Sequence, residues 1–247
     1  MPQVTPPGTT STEAQDLAKD VQNPVSDLIA IPFQNVFDFG IGPDNDYAYT
    51  LSIQPVIPVS LTDDWNIINR VLLPIIYRES DDTGGLGDTV AQFFFSPKEP
   101  WRGWIWGAGP LFLIPTATDS VLGTKKWGAG PVIVVLQQRG PWTAGTLLSQ
   151  TWSFAGDRDR PDVNASFLQP FVAYTTQTAT TAYIETETTY DWTADQWLVP
   201  IEPTIAQILP IGSQYIDVEL GPTFYVVTPR GGPDWGLRVN FALLFPR

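Results

Sequence analysis

Between Tyr47 and Leu61 the chain alternates. Tyr47, Tyr49, Leu51, Ile53, Pro55, Ile57, Val59 and Leu61 hold the odd positions, and Thr50, Ser52, Gln54 and Ser60 fall between them. Period two marks a strand with one oily and one polar face. Strands of ordinary sheets run about five or six residues, whereas a tilted strand crossing a bilayer needs about 9–11. The length fits a membrane, and the rest of the chain reads as further copies of this strand closed into a barrel.

Twelve such segments can be marked by alternation and by the turn residues between them. They are expected at 29–41, 47–61, 65–77, 86–96, 104–115, 127–137, 142–155, 164–175, 182–192, 197–208, 215–227 and 235–245. Pro32, Pro55, Pro74, Pro110, Pro131, Pro170 and Pro222 lie inside them, each removing a ladder donor, and alternation offers no account of all seven. The string WGAGP occurs twice, at Trp106–Pro110 and Trp127–Pro131; its glycines suit either a thin inner wall or a bend in the barrel. Ahead of the strands, residues 1–11 are expected to be disordered. Thr12 and Gln15 form a capping box opening a short helix that Asn23-Pro24 stops. That helix either enters the barrel as a plug or rests beside its rim. The domain division is therefore 1–24 for the disordered segment with its helix, and 25–247 for the barrel.

A soluble barrel with an oily interior would show the same alternation, and the tryptophans decide between the two. Of the ten, Trp65 and Trp142 open odd-numbered strands, Trp127, Trp197 and Trp235 open even-numbered ones, and Trp192 ends the ninth. Successive strands run in opposite directions, so these form two groups at opposite rims, as in the aromatic girdles of transmembrane barrels. The predicted fold is an all-β, closed antiparallel transmembrane barrel with a short N-terminal helix. No run of apolar residues is long enough for a membrane-spanning helix, and the N-terminus lacks a signal-peptide pattern, so an exported protein would be read as a mature chain behind an added Met1.

Composition narrows the chemistry. The chain has no histidine and no cysteine, which removes imidazole general bases, thiol nucleophiles and disulfides. With 26 acidic residues against 13 basic ones, it lacks the cationic footprint of a nucleic-acid binder. Gly156–Val163, GDRDRPDV, does not match a calcium loop and reads as solvated.

At NPVSDLIAIPFQN, IQPVIPVSLTDDWN, GLGDTVAQFFFSP, WIWGAGPLFLIPTATD, KKWGAGP, GPWTAGTLLSQTWSFAGDRDRPDVN, LQPFVAY and GGPDWGLRVNFALLFPR, over roughly residues 12–247, the chain resembles a bacterial outer-membrane family. Its members are named as transporters of the meta pathway of phenol degradation, some mislabelled neuromedin U. The resemblance implies a β-barrel of the Gram-negative outer membrane through which small molecules pass. The sequence departs at Phe245-Pro246-Arg247, where many such barrels end on an aromatic residue.

The expected function is passive passage of small solutes through a porin-like channel in contact with membrane lipid. No catalytic residue, metal or cofactor is expected. Strand parity assigns Arg70, Asp88, Glu185, Glu187, Glu202, Asp217, Glu219 and Arg238 to the lumen. It gives an acidic wall on strands nine to eleven facing arginines on strands three and twelve, with a transverse field and a preference for cations. The alternatives are ion pairing that plugs the barrel, or a membrane-embedded enzyme working without histidine.

Overall fold

The computed structural model describes residues 11–212 and 214–246. The expected disorder of residues 1–11 lies outside these, apart from Ser11, and so does the Thr12 side chain of the capping box. A helix, α1 (Ser11–Val21), precedes twelve antiparallel strands. These are β1 (Ile29–Ile41), β2 (Asp46–Ile53 and Val56–Ser60), β3 (Trp65–Arg78) and β4 (Thr83–Leu86 and Thr89–Pro97). There follow β5 (Ile105–Ile114), β6 (Lys126–Arg139), β7 (Trp142–Gly156) and β8 (Asn164–Thr175). Last come β9 (Thr180–Glu185 and Thr188–Asp191), β10 (Gln196–Ile211), β11 (Gln214–Val227) and β12 (Trp235–Phe245). Each strand pairs with the next, and β1 pairs with β12 from Ile29↔Phe245 to Phe39↔Trp235, closing the ring. Closure gives every strand a hydrogen-bonding neighbour on both sides and leaves no open edge, which a lipid environment requires.

The strands match the expected alternation, with β2, β4 and β9 each interrupted once. These interruptions, with gaps in other ladders, explain the prolines. A proline removes a donor, and the loss is cheapest where the facing strand has already left the ladder. Pro55 lies in the interruption of β2, and Gln54 there donates to the carbonyl of Pro32 at 2.9 Å. Pro74 faces the interruption of β4, accepting from Gly87 N, while Pro170 faces that of β9, accepting from Thr186 N. Pro222 sits where the β10–β11 pairing skips from Ile201↔Phe224 to Ile205↔Leu220. Pro110 and Pro131, one from each WGAGP string, oppose each other across β5 and β6, so the two missing donors coincide. Neither expectation for WGAGP captured this pairing. The preceding glycines are needed for close approach: a Cβ on Gly130 would lie 1.6 Å from the Gln150 carbonyl oxygen, and one on Gly109 2.0 Å from that of Phe93.

α1 does not rest beside the barrel. Its buried Leu17 and Ala18 pack on Ala30, Ile208, Ala242 and Leu244, all on the inner face at the N-terminal rim. Gln22 Nε2 donates to the Thr175 and Thr181 hydroxyls at 3.1 and 3.0 Å, and Gln138 Nε2 to the Lys19 carbonyl at 2.9 Å. The apolar stripe of α1 is too short to stabilise a free helix in water, and the barrel mouth supplies the surface it needs.

Candidate functional site

The interior wall has two arcs. Along β3 to β8, Ile68, Phe94, Leu111, Val132, Val134, Leu136, Leu147 and Phe171 form a buried apolar cluster joined by Val25. The remaining arc is polar and centres on Arg238 of β12, which is 3% exposed. Its Nη1 donates to Glu185 Oε1; its Nη2 ion-pairs with Glu202 Oε1 at 2.8 Å and with Glu187 Oε1 at 3.2 Å. Glu185 Oε2 also accepts from Gln169 Nε2 at 2.6 Å and from the Tyr183 hydroxyl at 2.9 Å. The Thr223 hydroxyl donates to Glu202 Oε1 at 3.1 Å.

On the other side of Arg238 the belt continues strand by strand. Arg70 Nη2 donates to Gln54 Oε1 at 2.9 Å, Gln54 Nε2 to Gln34 Oε1 at 2.5 Å, Gln34 opposes Asn240, and Asn240 Nδ2 donates to Glu219 Oε1 at 3.3 Å. Arg70, Glu185, Glu187, Asp217, Glu219 and Arg238 all border a central cavity of about 190 Å³, with Ala18 and Gln22 of α1 on its N-terminal side. A cavity of about 540 Å³ opens at the N-terminal rim and one of about 400 Å³ at the far rim.

Two expectations need correction. Arg238 does not stand on a wall across from the acids. Strands β9 to β12 are consecutive neighbours on a curved wall, so their inward side chains converge, and the guanidinium lies among the carboxylates it was to oppose. Asp88 does not border the central cavity. It accepts from Ala117 N at 3.2 Å, Thr124 N at 2.6 Å and the Thr124 hydroxyl at 2.7 Å, pinning the loop 115–125 at the far rim. Arg160 fastens the same loop through the carbonyls of Ser120 and Gly123, at 2.9 and 2.7 Å, so the GDRDRPDV segment is anchored rather than simply solvated. There too, Lys126 Nζ lies 2.8 Å from Asp162, and this hydrogen bond and charge hold the Asp162 carboxyl below its ordinary range.

Parity did not single out Gln34, Gln54, Gln169, Tyr183 or Asn240, which complete the belt. Gln34, Tyr183 and Asn240 share the inward parity of a charged residue on their own strands and Gln54 stands on the polar side of its strand, but β8 has no charged residue to mark Gln169, and uncharged amides and a phenol carry no signal until a partner is known. Glu185, Glu187 and Glu202 place carboxylate oxygens within 4.8 Å of one another, and a metal ion bound there would have to displace Arg238. On the outer surface, Trp65 and Trp142 stand exposed at the N-terminal rim, with Trp127, Trp192, Trp197 and Trp235 exposed at the far rim.

No protein-family model matches the sequence, and no curated protein matches it. Among solved structures, an outer membrane channel from Pseudomonas putida F1 is similar at a TM-score of 0.67 and 14% identity, over 88% of this chain and 94% of that one. The outer membrane phospholipase A of Escherichia coli is similar at 0.51 and 10% identity, over 92% and 97%. The calcium-bound outer membrane phospholipase dimer of Salmonella typhi gives 0.50 and 10%, over 97% and 99%. With its closed ring of twelve antiparallel strands, the chain has the fold of the bacterial outer-membrane β-barrels.

Proposed function

We propose that this protein is an outer-membrane channel for passive passage of small solutes, narrowed by the Arg238 belt and covered at its N-terminal mouth by α1. The observation that carries the proposal is a polar, charge-lined arc inside a closed wall whose outer face is apolar and ringed by tryptophan at both rims. The N-terminal rim, with the shorter turns, is then periplasmic, and Trp65, Trp127, Trp142, Trp192, Trp197 and Trp235 lie at the membrane interfaces. The likeness to a Pseudomonas putida channel supports this reading, and the absence of histidine supports a non-enzymatic one.

Cations are the preferred ions. Glu185, Glu187, Glu202, Asp217 and Glu219 outnumber Arg70 and Arg238 inside the barrel. Replacing Glu185, Glu187 and Glu219 by Gln lowers the preference for potassium over chloride; an unchanged reversal potential in a conducting variant rejects the assignment. Phenols, the solutes attached to the resembled family, can be tested by liposome swelling.

The test of passage is single-channel recording in a planar bilayer, with the full chain beside a chain beginning at Asn23. Larger conductance without α1 is expected. Silence from both would favour the second reading, a sealed structural barrel, which the buried ion pairs of Arg238 support.

A further inference from the structure

Acceptors in the central cavity outnumber the donors that serve them. Asp217 and Glu219 are two residues apart on β11 and so share its inward face. Asp217 is 8% exposed, and no described residue hydrogen-bonds or ion-pairs with it. Glu219 accepts from Asn240, but among the described residues it belongs to no salt bridge. Arg238 is already engaged by Glu185, Glu187 and Glu202. Two further oxygens, Gln22 Oε1 and Asn240 Oδ1, are shut from water with no donor. Their assignment is fixed by their amide nitrogens, which donate to the Ala18 carbonyl and to the Glu219 carboxylate, neither of which can donate in return. Register gathers these groups: Thr181 pairs with Ala206, Ala206 with Glu219, and Glu219 with Asn240. The small Ala206 leaves room in front of them.

A buried carboxylate without a partner is costly, and an ammonium group brings three donors and the opposite charge. Most of the remaining lining is apolar, including Val56, Phe171 and Ala242. An inorganic cation gains nothing from such walls, whereas a hydrocarbon body does. We infer that the cavity binds a small organic monoammonium ion with an apolar body, its nitrogen on Asp217 and its body against Phe171 and Val56. Arg70, also on the cavity wall and hydrogen-bonded to the uncharged Gln54, repels a second positive charge placed beside it, so a diamine of the same length is disfavoured. The inference names a solute class for the channel proposed above and rests on that reading only for the ligand's route to the cavity.

The test is calorimetric titration of the full chain in detergent with 2-phenylethylammonium chloride, beside 2-phenylethanol, phenylacetate and calcium chloride, each corrected for detergent alone. Saturable binding of the ammonium is expected, with the alcohol and the acid at least about tenfold weaker, the scale of one charge-assisted hydrogen bond. Asp217→Asn weakens the ammonium by a similar factor. Equal affinity for the alcohol, an unaltered affinity in folded Asp217→Asn, or saturation by calcium alone that displaces the amine would each overturn the inference. Should Asp217→Asn fail to fold, the comparison of ligands on the natural chain decides. Potassium conductance separates the two proposals: conductance without amine binding defeats this one alone, and amine binding with silence from both the full chain and the chain beginning at Asn23 defeats the channel.

Discussion

Arg238 is the residue on which the interior depends. Three carboxylates converge on one guanidinium with little water, so removing it leaves like charges buried together. Arg238→Gln is expected to destabilise the barrel by about 3–5 kcal/mol, the usual cost of breaking a buried pair from one side. Unfolding by urea in a fixed detergent, followed by tryptophan fluorescence, measures it, and a loss below about 1 kcal/mol would show that the ion pairs are incidental. Glu185→Gln should cost less, because the amide oxygen can still accept from Arg238, which keeps Glu202 and Glu187, while the amide nitrogen can donate to the Tyr183 hydroxyl. Charge and parity alone made Arg238 and its partners recognisable as interior residues. Which of them touch was not recognisable, because contact across β9 to β12 depends on the curvature of the wall.

At the scale of elements, α1 is held by side-chain packing and side-chain hydrogen bonds in place of a ladder. Among its described side chains it buries Leu17 and Ala18, and it carries Asp16 and Asp20 beside the mouth. Asp20 reaches water on one side yet sits within the mouth; desolvation there, then the charges of Asp16 and Asp27, push its pKa up to about 6, against the opposing effect of Lys19. A raised carboxyl pKa means the docked helix holds a proton more tightly than the free one. Docking is therefore strongest below about pH 4, weakens as pH rises through about 6, and stays weaker above it. Hydrogen exchange of the α1 amides should quicken, beyond the intrinsic base catalysis, between pH 4.5 and 7, and Asp20→Asn should flatten that change. Equal profiles for the two proteins would remove Asp20 from the account. Thr12, Gln15 and Asn23-Pro24 made a helix legible here, but its seat inside the barrel was not. The surface it covers is assembled from β1, β10 and β12, far apart in the chain.

For the whole molecule, ring closure between β1 and β12 predicts a barrel that resists unfolding in cold detergent and migrates faster on a gel before boiling than after. Migration indifferent to boiling, with solubility in plain buffer, would reject a closed transmembrane barrel. The sequence by itself determined the strand count, the antiparallel order and the outward face. Period-two alternation is a local property, and lipid outside a closed wall forces the apolar parity outward at every strand. It also marked seven prolines as a difficulty it had no means to resolve. Only the tertiary structure decided that each of them meets either a gap in a ladder or another proline, that Asp88 ties down a loop instead of facing the cavity, and that Arg238 lies among the acids. Those outcomes rest on register between strands and on the curvature of the closed wall. Both are fixed when distant segments pair, and neither is written in the periodicity of any one strand.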